Sequence, residues 1–189
     1  MDSVIIRLSE CTERDIEKHF TDLKVETMQT ILKRTLSNAR FCYPTFDYWL
    51  EEKVFPDLSS GKRDIVFLFD VNNPRELLGV AILKIAGDEK KICSFRINST
   101  YQRKGAGKKL MDKCFEVLGS RKPMITVPRD MSQELSDPNN CYSAFSNFFS
   151  KYFEREFELK EKRKDFYRKG YTEYVYNGSL PIELPNITK

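Results

Sequence analysis

The stretch Ile92-Cys93-Ser94-Phe95-Arg96-Ile97-Asn98-Ser99-Thr100-Tyr101-Gln102-Arg103-Lys104-Gly105-Ala106-Gly107-Lys108-Lys109-Leu110 decides how the rest of the chain reads. Its first six residues put Ile92, Ser94 and Arg96 on one face and Cys93, Phe95 and Ile97 on the other, the period of a β-strand. From Leu110 the spacing changes. Leu110, Cys114, Val117 and Leu118 recur as the apolar stripe of a helix, which Gly119 is suited to end. Between strand and helix, Gly105 and Gly107 let the backbone turn tightly and approach a ligand closely. The helix start offers free N–H groups and the positive end of its dipole to the same space. Arg103, Lys104, Lys108 and Lys109 add positive charge against one Asp112. The segment predicts an anion site suited to phosphate or pyrophosphate.

Two common phosphate loops do not fit. A Walker A loop needs G-x-x-x-x-G-K-[ST], and a dinucleotide fingerprint needs a third glycine where this chain has Leu110. Outward from the loop, residues 4–8 read as a first strand, and Thr12 as the cap of a helix with acids in its first turn. Residues 25–39 keep helical spacing through Met28, Ile31, Leu32 and Leu36, and Phe46, Trp49, Leu50 and Val54 continue it. Residues 65–69, 77–85 and 92–97, joined by short turns, predict an antiparallel meander. After the helix come a short strand at 124–127, an aromatic helix at 142–152, and late strands at 157–159 and 171–176. The order β, helices, βββ, α, β, α, ββ predicts an α/β (α+β) domain with one mixed, mostly antiparallel sheet flanked by helices. We assign residues 1–177 to that domain and 178–189 to a C-terminal tail.

The 189 residues are 40% hydrophobic and 13% aromatic, enough for a core and too aromatic for a disordered chain. No stretch approaches the roughly 20 apolar residues of a membrane span, and the N-terminus does not read as a signal peptide. Five scattered cysteines without a C-x-x-C pair argue against a disulfide framework or structural metal, and for reduced thiols in the cytoplasm. The net charge of +4 and pI near 8.7 suit phosphate-bearing ligands but fall short of a dedicated nucleic-acid domain.

Written as Gln102-x-x-Gly105-x-Gly107, the loop resembles the signature of the GCN5-related N-acetyltransferases (GNAT), and the order of elements along nearly the whole chain is similar to that fold. The resemblance implies an acyltransferase that moves an acetyl group from acetyl-CoA to a primary amine by direct attack in a ternary complex, without a metal. It implies that Gln102, Arg103, Lys104, Gly105, Ala106, Gly107 and Lys108 hold the pyrophosphate, and that the backbone of Phe95, Arg96 and Ile97 holds the pantetheine arm. Many members also use a tyrosine on the fourth helix to protonate the CoA thiolate. Two registers fit here: one puts Phe148 at that position, the other Tyr152, which becomes the candidate acid.

The base stays open among Asp47, Glu51, Glu52 and Glu134, and His19 reads as a surface residue. The acceptor stays open among a small amine, a protein amine and an aminoacyl-tRNA. Tyr43 and Tyr48 are candidates to line its pocket. The run Lys160-Glu161-Lys162-Arg163-Lys164 is either a polyanion contact or a solvated strand face. The rival functions are a CoA-binding module without transfer and an RNA-binding protein of the same fold. We expect a monomer or homodimer.

Overall fold

One seven-stranded sheet organises the residues described in this computed structural model, 2–20, 25–131 and 141–182. The chain runs through β1 (Ser3–Arg7), α1 (Glu13–His19), α2 (Val25–Thr35), the one-turn helices α3 (Ala39–Cys42) and α4 (Phe46–Trp49), and a π-helical turn at Leu50–Val54. It continues through α5 (Phe55–Ser59), β2 (Arg63–Asp70), β3 (Leu77–Lys84), β4 (Lys91–Ile97) and α6 (Ala106–Leu118). It closes with β5 (Met124–Asp130), α7 (Cys141–Tyr152), β6 (Leu159–Lys164) and β7 (Tyr171–Tyr176). The strand order is β1-β2-β3-β4-β5-β7-β6, and every neighbouring pair is antiparallel except β4 with β5. This is the mixed, mostly antiparallel sheet that the sequence predicts.

The two-residue period of the strands makes the sheet apolar on both faces. Val66 and Leu68 of β2 join Leu110, Met111, Cys114 and Phe115 of α6 on one side, while Ile65, Phe67 and Phe69 meet Leu32, Phe46 and Leu50 on the other. On the α6 side the ring of Phe149 stacks on Phe157 at 3.9 Å. Thr12 caps α1 as expected: its hydroxyl accepts from the Asp15 amide at 3.2 Å, and the Asp15 carboxylate accepts from the Thr12 amide at 3.0 Å.

Three local expectations change. The helix expected over 25–39 stops at Thr35, because Ser37 and Asn38 enter hydrogen-bonded turns before α3. The strand expected at 157–159 starts two residues later and runs through the charged segment. There β6 is the edge of the sheet, so its lysines face water and no apolar alternation marks it. His19 is buried, its Nδ1 donating to the Pro74 carbonyl at 2.7 Å and its ring lying against Phe69. Of the tail, Leu180 packs with Met124 and Val175.

Asp64 is a buried carboxylate with a full set of partners. It accepts from the Arg7 guanidinium, the Ser9 amide and hydroxyl, and the Ile65 amide, tying the end of β1 to β2. Asp64→Ala leaves those donors unmatched and should destabilise the fold by about 2–3 kcal/mol, read as a lower urea midpoint. A loss below about 0.5 kcal/mol, the range of an ordinary surface change, would show that this network does not anchor β1.

Candidate active site

The sheet opens where its only parallel pair fails. β4 and β5 are paired at Lys91↔Met124 and Ile92↔Ile125 and then separate, although β4 stays on β3 as far as Ile97↔Gly79. Cys93 is the extra residue of a β-bulge: Leu83 faces Ile92, and Ile82 faces Ser94. From Cys93 to Ile97 the β5-side edge of β4 therefore has no ladder partner among the described residues. These strands form a fork, closed at Ile92 and Ile125 and open toward Ile97. The carbonyl of Ile97 accepts from the Gln102 side chain at 3.3 Å, which ties the loop to the open end.

Gly105 sits at the N-cap of α6 with φ +85°, and Arg103 precedes it at φ +62°. Both are left-handed, and glycine carries no steric penalty there. The first α6-type bond runs from the Lys109 amide to the Gly105 carbonyl, so the amides ahead of Lys109 face outward as at any helix start. Gly107 serves a different purpose. A Cβ there would lie 3.1 Å from the Phe148 ring and 3.7 Å from Ile97, so its absence lets α7 close over the loop. The cations divide into two pairs. Lys108 is taken by Asp112 at 2.6 Å and Lys109 reaches the Ser3 hydroxyl, while Arg103 and Lys104 stay exposed at the loop.

Phe148 faces both the loop and β4, with its ring 6.0 Å from Phe95. Tyr152 lies one turn further along α7, 5.7 Å from Phe148 and 41% exposed. The acids named from sequence fall outside this fork: Asp47 pairs with Arg40, Glu51 pairs with Lys33, and Glu52 is exposed. Glu134 lies outside the described residues. Tyr48 is exposed, whereas Tyr43 is drawn into the sheet on the face that α2 covers.

Tyr43 leads to a residue that sequence reasoning missed. Its hydroxyl donates to Glu173 Oε2 at 3.3 Å and is itself hydrogen-bonded to Thr126, on β5 just past the closed end of the fork. Glu173 belongs to β7, opposite Pro128, and is 1% exposed; its Oε1 has no partner among the described residues. Burial raises its pKa to about 7, against the opposing pull of the Tyr43 hydrogen bond and Lys91. The same burial, with the Glu173 charge, pushes the Tyr43 phenol well up. Tyr167, from the β6–β7 loop, packs edge-on against Tyr43 at 5.1 Å. A carboxyl group with one idle oxygen and a pKa near neutrality can take a proton from whatever enters beside it.

The basic run of β6 is partly spent on its own neighbours. Lys160 pairs with Glu158 at 2.7 Å, Arg163 with Glu161 at 2.5 Å, and Lys162 lies over the Tyr174 ring. Among the described residues, no group of three His, Cys, Asp or Glu side chains is placed to hold a metal, and no helix is long and apolar enough to cross a membrane.

No curated protein matches the chain in sequence. Solved structures do match in fold. A protein from Desulfovibrio desulfuricans, described as a GNAT-family acetyltransferase, superposes with a TM-score of 0.59 at 15% identity, covering 93% of this chain and 97% of its own. An aminoglycoside 6'-N-acetyltransferase complexed with coenzyme A superposes with a TM-score of 0.56 at 11% identity, covering 94% and 99%. A sequence profile of the Acetyltransferase (GNAT) family matches residues 26–130. That match ends on the last residue of β5, so it takes in both arms of the fork and the loop between them, and the chain belongs to the Acetyltransferase (GNAT) family.

Proposed function

We propose that the chain transfers an acetyl group from acetyl-CoA to an amine, with both substrates bound at once. The unpaired edge of β4, leading from the glycine loop to the closed end of the fork, is the observation that carries this reading. The loop amides from Gly105 to Lys108, with Arg103 and Lys104, would hold the pyrophosphate, and Gln102 would keep the loop on the strand end. The backbone of Phe95, Arg96 and Ile97 would pair with the amides of the pantetheine arm as a neighbouring strand would. From Ile97 to Cys93 the edge spans roughly 13 Å at about 3.3 Å per residue. That brings the thioester toward Cys93 and Thr126.

Acetyl-CoA supplies an activated acyl group: the amine nitrogen forms the new C–N bond as the C–S bond breaks. We assign loss of the amine proton to Glu173, which receives it on Oε1 while Tyr43 holds Oε2. We assign return of a proton to the CoA sulfur to the Tyr152 hydroxyl, which is open to solvent. The direct route is favoured over a covalent acyl-enzyme because, among the described residues, Cys93, the thiol at the fork, has no histidine or carboxylate hydrogen-bonded to it to take its proton; its partner is the donor Arg63.

Acetyl-CoA should raise the melting temperature by mass action. Gly107→Glu, which puts bulk against Phe148 and a negative charge at the loop, should abolish that rise. Arg103→Ser combined with Lys104→Ser, both at exposed positions, should weaken it. An undiminished shift in both variants would remove the loop from the cofactor site.

Glu173→Gln should lower kcat/KM by ~10²-fold or more and remove a rise in rate centred near pH 7. The stability profile supplies a second readout. With its pKa raised in the fold, Glu173 holds a proton between its ordinary range and about 7 that the unfolded chain has released. Stability should therefore fall as pH rises through that window, and the Gln variant should lack the fall. A variant with normal rate and an unchanged pH profile would exclude Glu173 as the proton acceptor.

Tyr152→Phe should lower kcat by ~10²-fold with little change in acetyl-CoA affinity. Activity within a factor of about two of the parent would assign that proton to water and leave Tyr152 as packing for Phe148.

A further inference from the structure

Three arginines from distant parts of the chain line one cavity of about 300 Å³: Arg34 near the end of α2, Arg75 in the β2–β3 turn, and Arg96 on β4. Thr35 and Asn98 add polar side chains to its wall. None of the three guanidiniums has a hydrogen-bond or ion-pair partner among the described residues, whereas Arg7, Arg40, Arg63, Arg121 and Arg163 are each paired. Glu76 also reaches the wall, but its carboxylate accepts from the Tyr101 hydroxyl; Asp70, close by, accepts from the Asn72 and Asn73 amides. Like charges gathered in a hollow repel one another, and a planar guanidinium is shaped to grip an oxyanion through two hydrogen bonds.

The position of the cavity says which substrate it would meet. Phe95 and Ile97 turn toward α6, and Arg96 between them shares the cavity with Arg34 of α2. The hollow therefore opens on the α2 face, the face that also carries Tyr43 and Glu173. The glycine loop starts α6, on the opposite face. Along β4, Arg96 is three residues from Cys93, a span of roughly 10 Å.

We propose that Arg34, Arg75 and Arg96 bind an oxyanion, phosphate or carboxylate, carried by the amine acceptor. This rests on the acetyl-transfer reading. The enzyme selects an amine that bears a compact negative group roughly 10 Å from its nitrogen.

The test uses ω-aminoalkyl phosphates of graded length beside the corresponding amino alcohols, with the full chain. The phosphates should be acetylated with a kcat/KM at least ~10-fold above the alcohols, the worth of about one charge-assisted hydrogen bond. The advantage should peak at one chain length and shrink with added salt. The double variant Arg34→Ser/Arg75→Ser should lose the advantage through KM while still acetylating the alcohols. Calorimetric titration of the longest aminoalkyl phosphate, without acetyl-CoA, should show binding to the parent and at least ~10-fold weaker binding to the double variant. Equal binding to both overturns the site, and that result holds even if no amine is acetylated. If the double variant instead weakens CoA but leaves 3'-dephospho-CoA unchanged, the pocket takes the cofactor's phosphate and the acceptor assignment is wrong. A protein that binds the aminoalkyl phosphates through these arginines yet transfers no acetyl group leaves the pocket standing and overturns the function.

Discussion

A parallel strand pair cannot be joined by a hairpin, and β4 and β5 are the only parallel neighbours in this sheet. Their connection has to climb over one face and return, and α6 with its loop is that crossover. The same constraint leaves the pair weakly stitched, at two residue pairs, while antiparallel ladders hold β1 to β4 and β5 to β6 on either side. The sheet thus consists of two firmly paired halves meeting at a fork. The residues assigned to chemistry lie along the arms of that fork, over it on α6 and α7, or beside its β5 arm on β7.

The cofactor side of this arrangement was legible because its signals are local. The left-handed Gly105, the small Gly107 and the strand alternation of residues 92–97 all lie within one short segment, so each can be read without knowing what else is nearby. The opposite side was not. Glu173 occurs in Tyr-Thr-Glu-Tyr-Val-Tyr, where one acid reads as the wet face of a strand. It is buried because Tyr43, 130 residues earlier, and Tyr167 cover it, and no local period encodes that cover. The three arginines are equally scattered. The strand pattern marks the backbone of Arg96, whereas its side chain joins residues from α2 and a turn that no local period connects.

Two buried acids show how the fold separates structure from reactivity. Every oxygen of Asp64 has donors, so its charge is fixed in place and does the work of a clasp. Glu173 has a weak hydrogen bond on one oxygen and none on the other. Desolvation only partly offset by Tyr43 and Lys91 is what raises its pKa to about 7. The loop shows the same division of labour: Lys108 is engaged within α6, and Arg103 and Lys104 are left to the solvent side.

β6 has a consequence for assembly. As the outermost strand among the described residues it has backbone groups on its outer side without a ladder partner there, an invitation for a second chain to add its own strand. Lys160, Lys162 and Lys164 stand along that rim, exposed, on a strand that also carries Arg163. Two such rims brought together would confront rows of positive charge. Pairing of one β6 rim with another is thereby disfavoured.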